Sequence, residues 1–173
     1  ENGVCNSCVN QSFDTPRQLS LDNLVAKLKR GGSRDRYDCL VPIFGDREDW
    51  YTVSTLLAQN VRVLVTWVNS YFNGELAWKN FQNLITELDV DSINFNPNLV
   101  TYRKMVQKAF VDHQHVLLPY QMLKHSFAMH TALENRIRNI VVPYHQAKVI
   151  AGTFPPWVDV EGNKWSTTEY DFS

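Results

Sequence analysis

The sequence predicts an α/β fold with a doubly wound, mostly parallel, Rossmann-like sheet, and three observations predict it. Two runs, "YDCLVPI" and "VRVLVTWV", are apolar almost without interruption, as strands covered on both faces of a parallel sheet must be. Segments with helical spacing stand between successive strand-like runs, the alternation that builds βαβ units with right-handed crossovers. The 173 residues, 44% of them hydrophobic, are enough for one domain with a proper core.

Each element has its own signal. In "SLDNLVAKLKR", Ser20 or Asp22 offers a cap, Leu21, Leu24, Val25 and Leu28 fall at helical spacing, and "GGS" ends the helix. The strand "YDCLVPI" follows, carrying Cys39 as a core residue, then the helix "WYTVSTLLAQ" and the strand "VRVLVTWV". The helix "ELAWKNFQNLITEL" leads to a short strand "SINFN", a turn at "NPN" and the helix "LVTYRKMVQKAFVDHQ". A further helix, "PYQMLKHSFAMHTALENR", precedes the strand "NIVVPY". From about Gly152 the chain has prolines, scattered aromatics and no period, which predicts an irregular or hairpin-like tail packed through its Trp residues. The expected organisation is a leading Cys-x-x-Cys segment at 1–19, an α/β domain at 20–151 and an aromatic-rich tail at 152–173.

Composition narrows the function classes. With 17 Lys+Arg against 18 Asp+Glu, no global basic field draws the chain to nucleic acid. No run reaches the roughly 18 apolar residues of a membrane span, and the first residues lack a signal-like pattern, so a cytoplasmic location is expected. Three cysteines are too few for a disulfide scaffold. Cys5 and Cys8 have the spacing of a zinc knuckle, but structural zinc takes four ligands, so they hold zinc only if further ligands are supplied. The five histidines, His113, His115, His125, His130 and His145, form no His-Glu-x-x-His pattern and read as surface or capping residues. His125 and Met129, four residues apart on one helix, read as packing neighbours, and "KLKR" at 27–30 as a solvated helix end.

In a doubly wound sheet ligands bind beyond the carboxyl ends of the strands. There the first strand gives way to "FGDREDW": a glycine, a cluster of charge, then a helix, the order used by loops that hold a phosphate. Trp50, Trp67, Tyr71, Phe72 and Trp78 fall near the same region, as filling for a cleft or as a protein-binding surface.

At this loop the sequence resembles the PP-loop ATP pyrophosphatases and, among them, the N-acetyl sugar amidotransferases of surface-polysaccharide biosynthesis. "ENGVCNSC" is similar to the family's cysteine-bearing leading segment, "RYDCLVP" to the strand before its phosphate loop, and "VTWVNSYFNGELAWKNFQNLITELDVDSINFNPNLVTYRKMVQKAF" to its next two βα units. The family's chains are longer, so the resemblance covers their nucleotide-binding half.

The family's loop reads Ser-Gly-Gly-Lys-Asp-Ser, in which glycines let backbone N–H groups approach pyrophosphate, hydroxyls donate to its oxygens, and Lys and Asp handle charge and Mg²⁺. This chain has Phe44 at the first Ser, keeps Gly45, and has Asp46, Arg47, Glu48 and Asp49 at the remaining positions. Phe44 removes a hydroxyl, Asp46 places a side chain where backbone must come close, and Asp49 adds negative charge. At an effective dielectric near 20, a like charge at about 4 Å costs roughly 4 kcal/mol, which Arg47 offsets only in part. The family's Cys-Trp-Pro-Cys segment corresponds to "LLPY", Leu117 to Tyr120, and the acidic residue after the Trp of its second strand to Val68, while Asn69 is kept.

The resemblance therefore implies two function classes. One is a degenerate PP-loop domain with no cofactor, a pseudoenzyme that binds another protein as a structural or accessory subunit. The alternative is an ATP-dependent amidotransferase acting on an N-acetyl sugar, with ammonia from a glutaminase-type partner, a nucleotide contacted by Gly45, Asp46, Arg47, Glu48, Asp49 and Asn69, and Mg²⁺ on Glu48 or Asp49.

Overall fold

The computed structural model describes residues 21–29, 36–143 and 167–169. Cys5, Cys8, His145, the two expected domain boundaries and most of the tail lie outside the described residues. Chain order is α1 (Leu21–Leu28), β1 (Cys39–Pro42), α2 (Arg47–Ala58), β2 (Val63–Val68), α3 (Glu75–Glu87), β3 (Asp91–Phe95), α4 (Leu99–His113), α5 (Leu118–Glu134), β4 (Asn139–Val141) and β5 (Thr167–Glu169).

The five strands form one sheet in the order β3-β2-β1-β4-β5. β1 pairs in parallel with β2, Cys39 opposite Val63 and Val41 opposite Val65, and with β4 through Leu40 and Ile140. The two apolar runs are thus adjacent inner strands, as their uninterrupted hydrophobicity demands. β5 alone is antiparallel, Ile140 lying opposite Thr168. Within the expected irregular or hairpin-like tail, "TTE" pairs along the open side of β4, whose backbone groups would otherwise lack partners.

Side-chain alternation assigns the helices to two faces. Cys39, Val41 and Ile43 of the first strand run and Val63, Val65 and Trp67 of β2 meet Leu28 of α1, Val53 and Leu56 of α2, and Phe81 and Leu84 of α3. The intervening Leu40 and Leu64 meet Ala128 and Ala132 of α5 on the other face. β1 is where strand order reverses, with β2 on one side and β4 on the other, so its carboxyl end is the topological switch point. Burial pushes the Cys39 thiol far above its ordinary value, in keeping with an inert core residue.

Polar contacts fix the amino ends of the inner strands. The Asp38 carboxylate accepts the Arg62 backbone N–H at 2.8 Å and its guanidinium at 2.6 and 3.1 Å, while Asn139 donates to the Asp38 carbonyl at 3.3 Å. Burial acts against the charged form of Asp38, but the Arg62 bonds win and hold its carboxyl below the usual range. No helix among the described residues is long and apolar enough to cross a membrane.

Candidate functional site

The loop after β1 runs from Ile43, whose N–H still bonds to Thr66 O at 3.0 Å, through Phe44 and Gly45 to Asp46, the N-cap of α2. Asp49 lies three residues into the loop–helix junction and its side chain turns back. Its Oδ2 accepts three backbone N–H groups: Phe44 at 2.8 Å, Gly45 at 2.6 Å and Asp46 at 2.9 Å. Successive N–H groups converging on one oxygen at a helix amino end form an anion-binding nest, and here the anion is part of the chain. Asp49 is 1% exposed, and its Oδ1 has no hydrogen-bond partner among the described residues. Burial pushes its carboxyl up to about 6, against the downward pull of the three backbone donors.

The nest is held from two sides. Gly45 has φ +88° and lies so close to α3 that a Cβ there would sit 2.7 Å from Ala77 O and 2.8 Å from Ala77 Cα. Asn80 Nδ2 donates to Gly45 O at 2.8 Å. Toward α5, the ammonium of the buried Lys124 lies over the Phe44 ring, a cation–π contact. Arg47 points outward, its side chain 88% exposed and tied to Glu48 only at 3.8 Å. A cleft of about 240 Å³ opens beside the loop between α2 and α3, with Ile43, Phe81 and Leu84 as floor and Arg47, Trp50 and Asn83 at the rim.

Five of the six residues read as nucleotide contacts, Gly45 to Asp49, therefore share one short structure, with different roles. Gly45 is required by α3, Asp46 starts α2, and Asp49, the candidate Mg²⁺ ligand, is turned into its own loop. A cation at Asp49 would face three N–H dipoles aimed at the same oxygen, so Asp49 as placed does not fit a Mg²⁺ ligand. Asn69 stands at the end of β2: its Nδ2 donates to Asn96 Oδ1 at 3.0 Å and its Oδ1 accepts the Tyr71 N–H at 2.9 Å, so it shapes the β2 and β3 loops. No group of three or more His, Cys, Asp or Glu residues that could hold a metal occurs among the described residues.

The aromatic residues separate instead of filling one cleft. Trp67 is buried and stacks on Phe81 at 4.8 Å, with Trp78 at 5.7 Å, whereas Tyr71 and Phe72 lie against Tyr102 at 6.1 and 6.4 Å. His125 departs from the surface reading: it is buried, and desolvation together with the Lys124 charge lowers it to about 4. Lys124 was missed as a site neighbour, and His125 as a buried residue. The signal was Lys124 at helical spacing with Ala128 and Ala132, the stripe α5 turns to the sheet. For Asp49 it was Asp46-x-x-Asp49, the spacing of a capping box whose acid reaches back to the N-cap N–H.

No family profile matches the chain, and no curated protein matches it in sequence. Among solved structures it is similar to NMN synthetase from Francisella tularensis, with TM-score 0.60 and 11% sequence identity over 77% of this chain and 56% of that one. The chain thus spans little more than half of that enzyme's length. The likeness is one of fold alone, a Rossmann-like α/β arrangement.

Proposed function

We propose that the chain is a degenerate PP-loop domain that keeps the scaffold of nucleotide-binding enzymes and works as a non-catalytic binding or structural subunit. The observation that carries this reading is the Asp49 carboxylate in the nest of Phe44, Gly45 and Asp46 N–H groups, where a nucleotide phosphate would have to sit. The exposed apolar side chains of α4 and α5, among them Met105, Phe110, Val111 and Met122, are surface that a protein partner would cover.

A second reading, ATP-dependent amidotransfer to an N-acetyl sugar, rests on the resemblance and on the retention of Gly45 and Asn69. It requires Arg47 on the phosphates and the loop emptied of Asp49. Titration with ATP and Mg²⁺ separates the two. A ligand at about 100 times its Kd stabilises by about 2.7 kcal/mol, so binding at millimolar ATP raises the melting temperature visibly. The expected result is no shift. A clear shift that Arg47→Ala abolishes restores the enzyme reading.

A further inference from the structure

We infer that Asn73-Gly74, in the loop between β2 and α3, is a site of spontaneous covalent modification, at which the Gly74 backbone nitrogen displaces ammonia from the Asn73 side chain and the Ser70 hydroxyl supports the oxyanion. It is the one Asn-Gly pair among the described residues. It does not belong to the loop after β1, so the inference is independent of the function proposed above.

The loop meets each need of that attack. Its nucleophile is unshielded: Gly74 is exposed, has no Cβ and has nothing within 4 Å of where one would stand, and its N–H donates to no partner among the described residues. The electrophile is polarised. Ser70 Oγ, itself buried, accepts the Phe72 N–H at 3.2 Å and donates to Asn73 Oδ1, and hydrogen bonds in such a chain strengthen one another. As the Gly74 nitrogen adds to Cγ, negative charge gathers on Oδ1, where that donor already points. The leaving group is untied, because Asn73 Nδ2 is buried with no hydrogen-bond partner among the described residues, so its departure breaks no bond of the fold. Contacts beyond the dipeptide hold the arrangement: Tyr71, at φ +60°, gives its N–H to Asn69 Oδ1 at 2.9 Å and its hydroxyl to Pro97 O.

The net change is a hydrolysis. Solvent hydroxide takes the Gly74 amide proton, the nitrogen bonds to Asn73 Cγ, the Cγ–Nδ2 bond breaks, and Nδ2 leaves as ammonia after taking a proton from water, which closes a cyclic imide. Water then opens the ring. Attack at Cγ leaves aspartate at position 73, and attack at the main-chain carbonyl carbon leaves isoaspartate, whose main chain runs through Cγ. Either product places a carboxylate just before α3, whose N-cap Gly74 supplies no side-chain cap. Because α3 carries Ala77 and Asn80 against Gly45, the lengthened main chain of the isoaspartate form is expected to shift the Gly45 amide as well.

The test is incubation of the natural chain, Ser70→Ala and Gly74→Ala in mildly alkaline buffer, with peptide mass analysis of position 73 over time. Asn2-Gly3, the other Asn-Gly of the sequence, is read in the same digests as a reference for the buffer. The natural chain is expected to convert Asn73 to both acids, and to do so faster folded than in urea. Folded Ser70→Ala should convert it about tenfold more slowly, a factor that corresponds to about 1.4 kcal/mol, whereas in urea the two chains should match. Gly74→Ala, whose Cβ enters open space, should fold and keep its amide. An Asn73 that stays unconverted in the folded natural chain while Asn2 converts overturns the inference, as does folded Ser70→Ala that keeps pace with the natural chain. Should Ser70→Ala not fold, the natural chain decides alone: slower conversion folded than in urea overturns the role of the loop.

Discussion

Two buried titratable residues, Asp49 at the loop and His125 on α5, pull stability in opposite directions with pH. Asp49 goes from an ordinary 3.8 to about 6 on folding, so between these values the native state keeps a proton that the unfolded chain releases. Its contribution is fully present below about pH 4 and is lost as pH rises through 6, by up to about 3 kcal/mol at 1.36 kcal/mol per unit. His125 goes from 6.5 to about 4, so the unfolded chain takes up a proton that the native state refuses, and stability is lost as pH falls through the same range by a similar amount. The two nearly cancel in the natural chain, and single substitutions should expose each. In urea denaturation from pH 4 to 7, Asp49→Asn should lose stability toward acid more steeply than the natural chain. His125→Gln should lose less, or gain. Parallel profiles for all three proteins would show that neither group is buried in the form described. Neither residue was legible as buried: an Asp in a charged loop and a His on a helix read as solvated, and only the contacts across the fold turn them inward.

At the level of elements, the strands and helices were legible almost throughout, because burial on one or two faces writes a period into the sequence. The start of α2 was not: "RED" reads as loop, yet Asp46 caps the helix and Glu48 and Asp49 occupy its first turn, where acidic residues are favoured by the exposed N–H groups. β5 was hidden because three residues of ordinary composition carry no alternation, and its pairing is set by β4. The junction of β1, loop and α2 depends on one residue. Gly45→Ala adds a Cβ 2.7–2.8 Å from the Ala77 backbone and forces a non-glycine residue to φ +88°. Left-handed strain of about 1–2 kcal/mol and an overpacking cost of about 1–3 kcal/mol should together lower stability by about 2–5 kcal/mol, read as a fall in the urea midpoint at unchanged slope. Ala77→Gly in the same chain should rescue little, because Ala77 O and Cα remain. A near-neutral Gly45→Ala would mean that the loop stands off from α3.

Across the whole molecule the sheet is unevenly covered, and this sets where the fold opens first. β1 and β2 are buried at every residue, packed by α1, α2 and α3 on one face and α5 on the other. β3 forms one edge of the sheet, is largely exposed along its length, and meets α5 through the stacking of Phe95 on Phe127 at 5.2 Å. The position of the candidate site was legible from the alternation of elements alone, since the switch point follows from strand order; which groups fill it was not, because Asp49, Lys124 and Ala77 come from three elements that only the fold brings together. Local opening costs least where few apolar contacts break, so native-state hydrogen exchange should separate the strands. Amides of Leu40, Val41, Leu64 and Val65 should exchange only through global unfolding, with a denaturant dependence equal to the equilibrium slope. Those of β3 should exchange through a smaller opening that releases β3 and α4 while β1, β2 and the Asp49 nest stay closed, so the Gly45 amide should follow the core and not the edge. If Gly45 instead exchanged as fast as Ile93, the nest would be opening independently of the sheet, and a loop able to release Asp49 by itself would not be one held in place by α3 and α5.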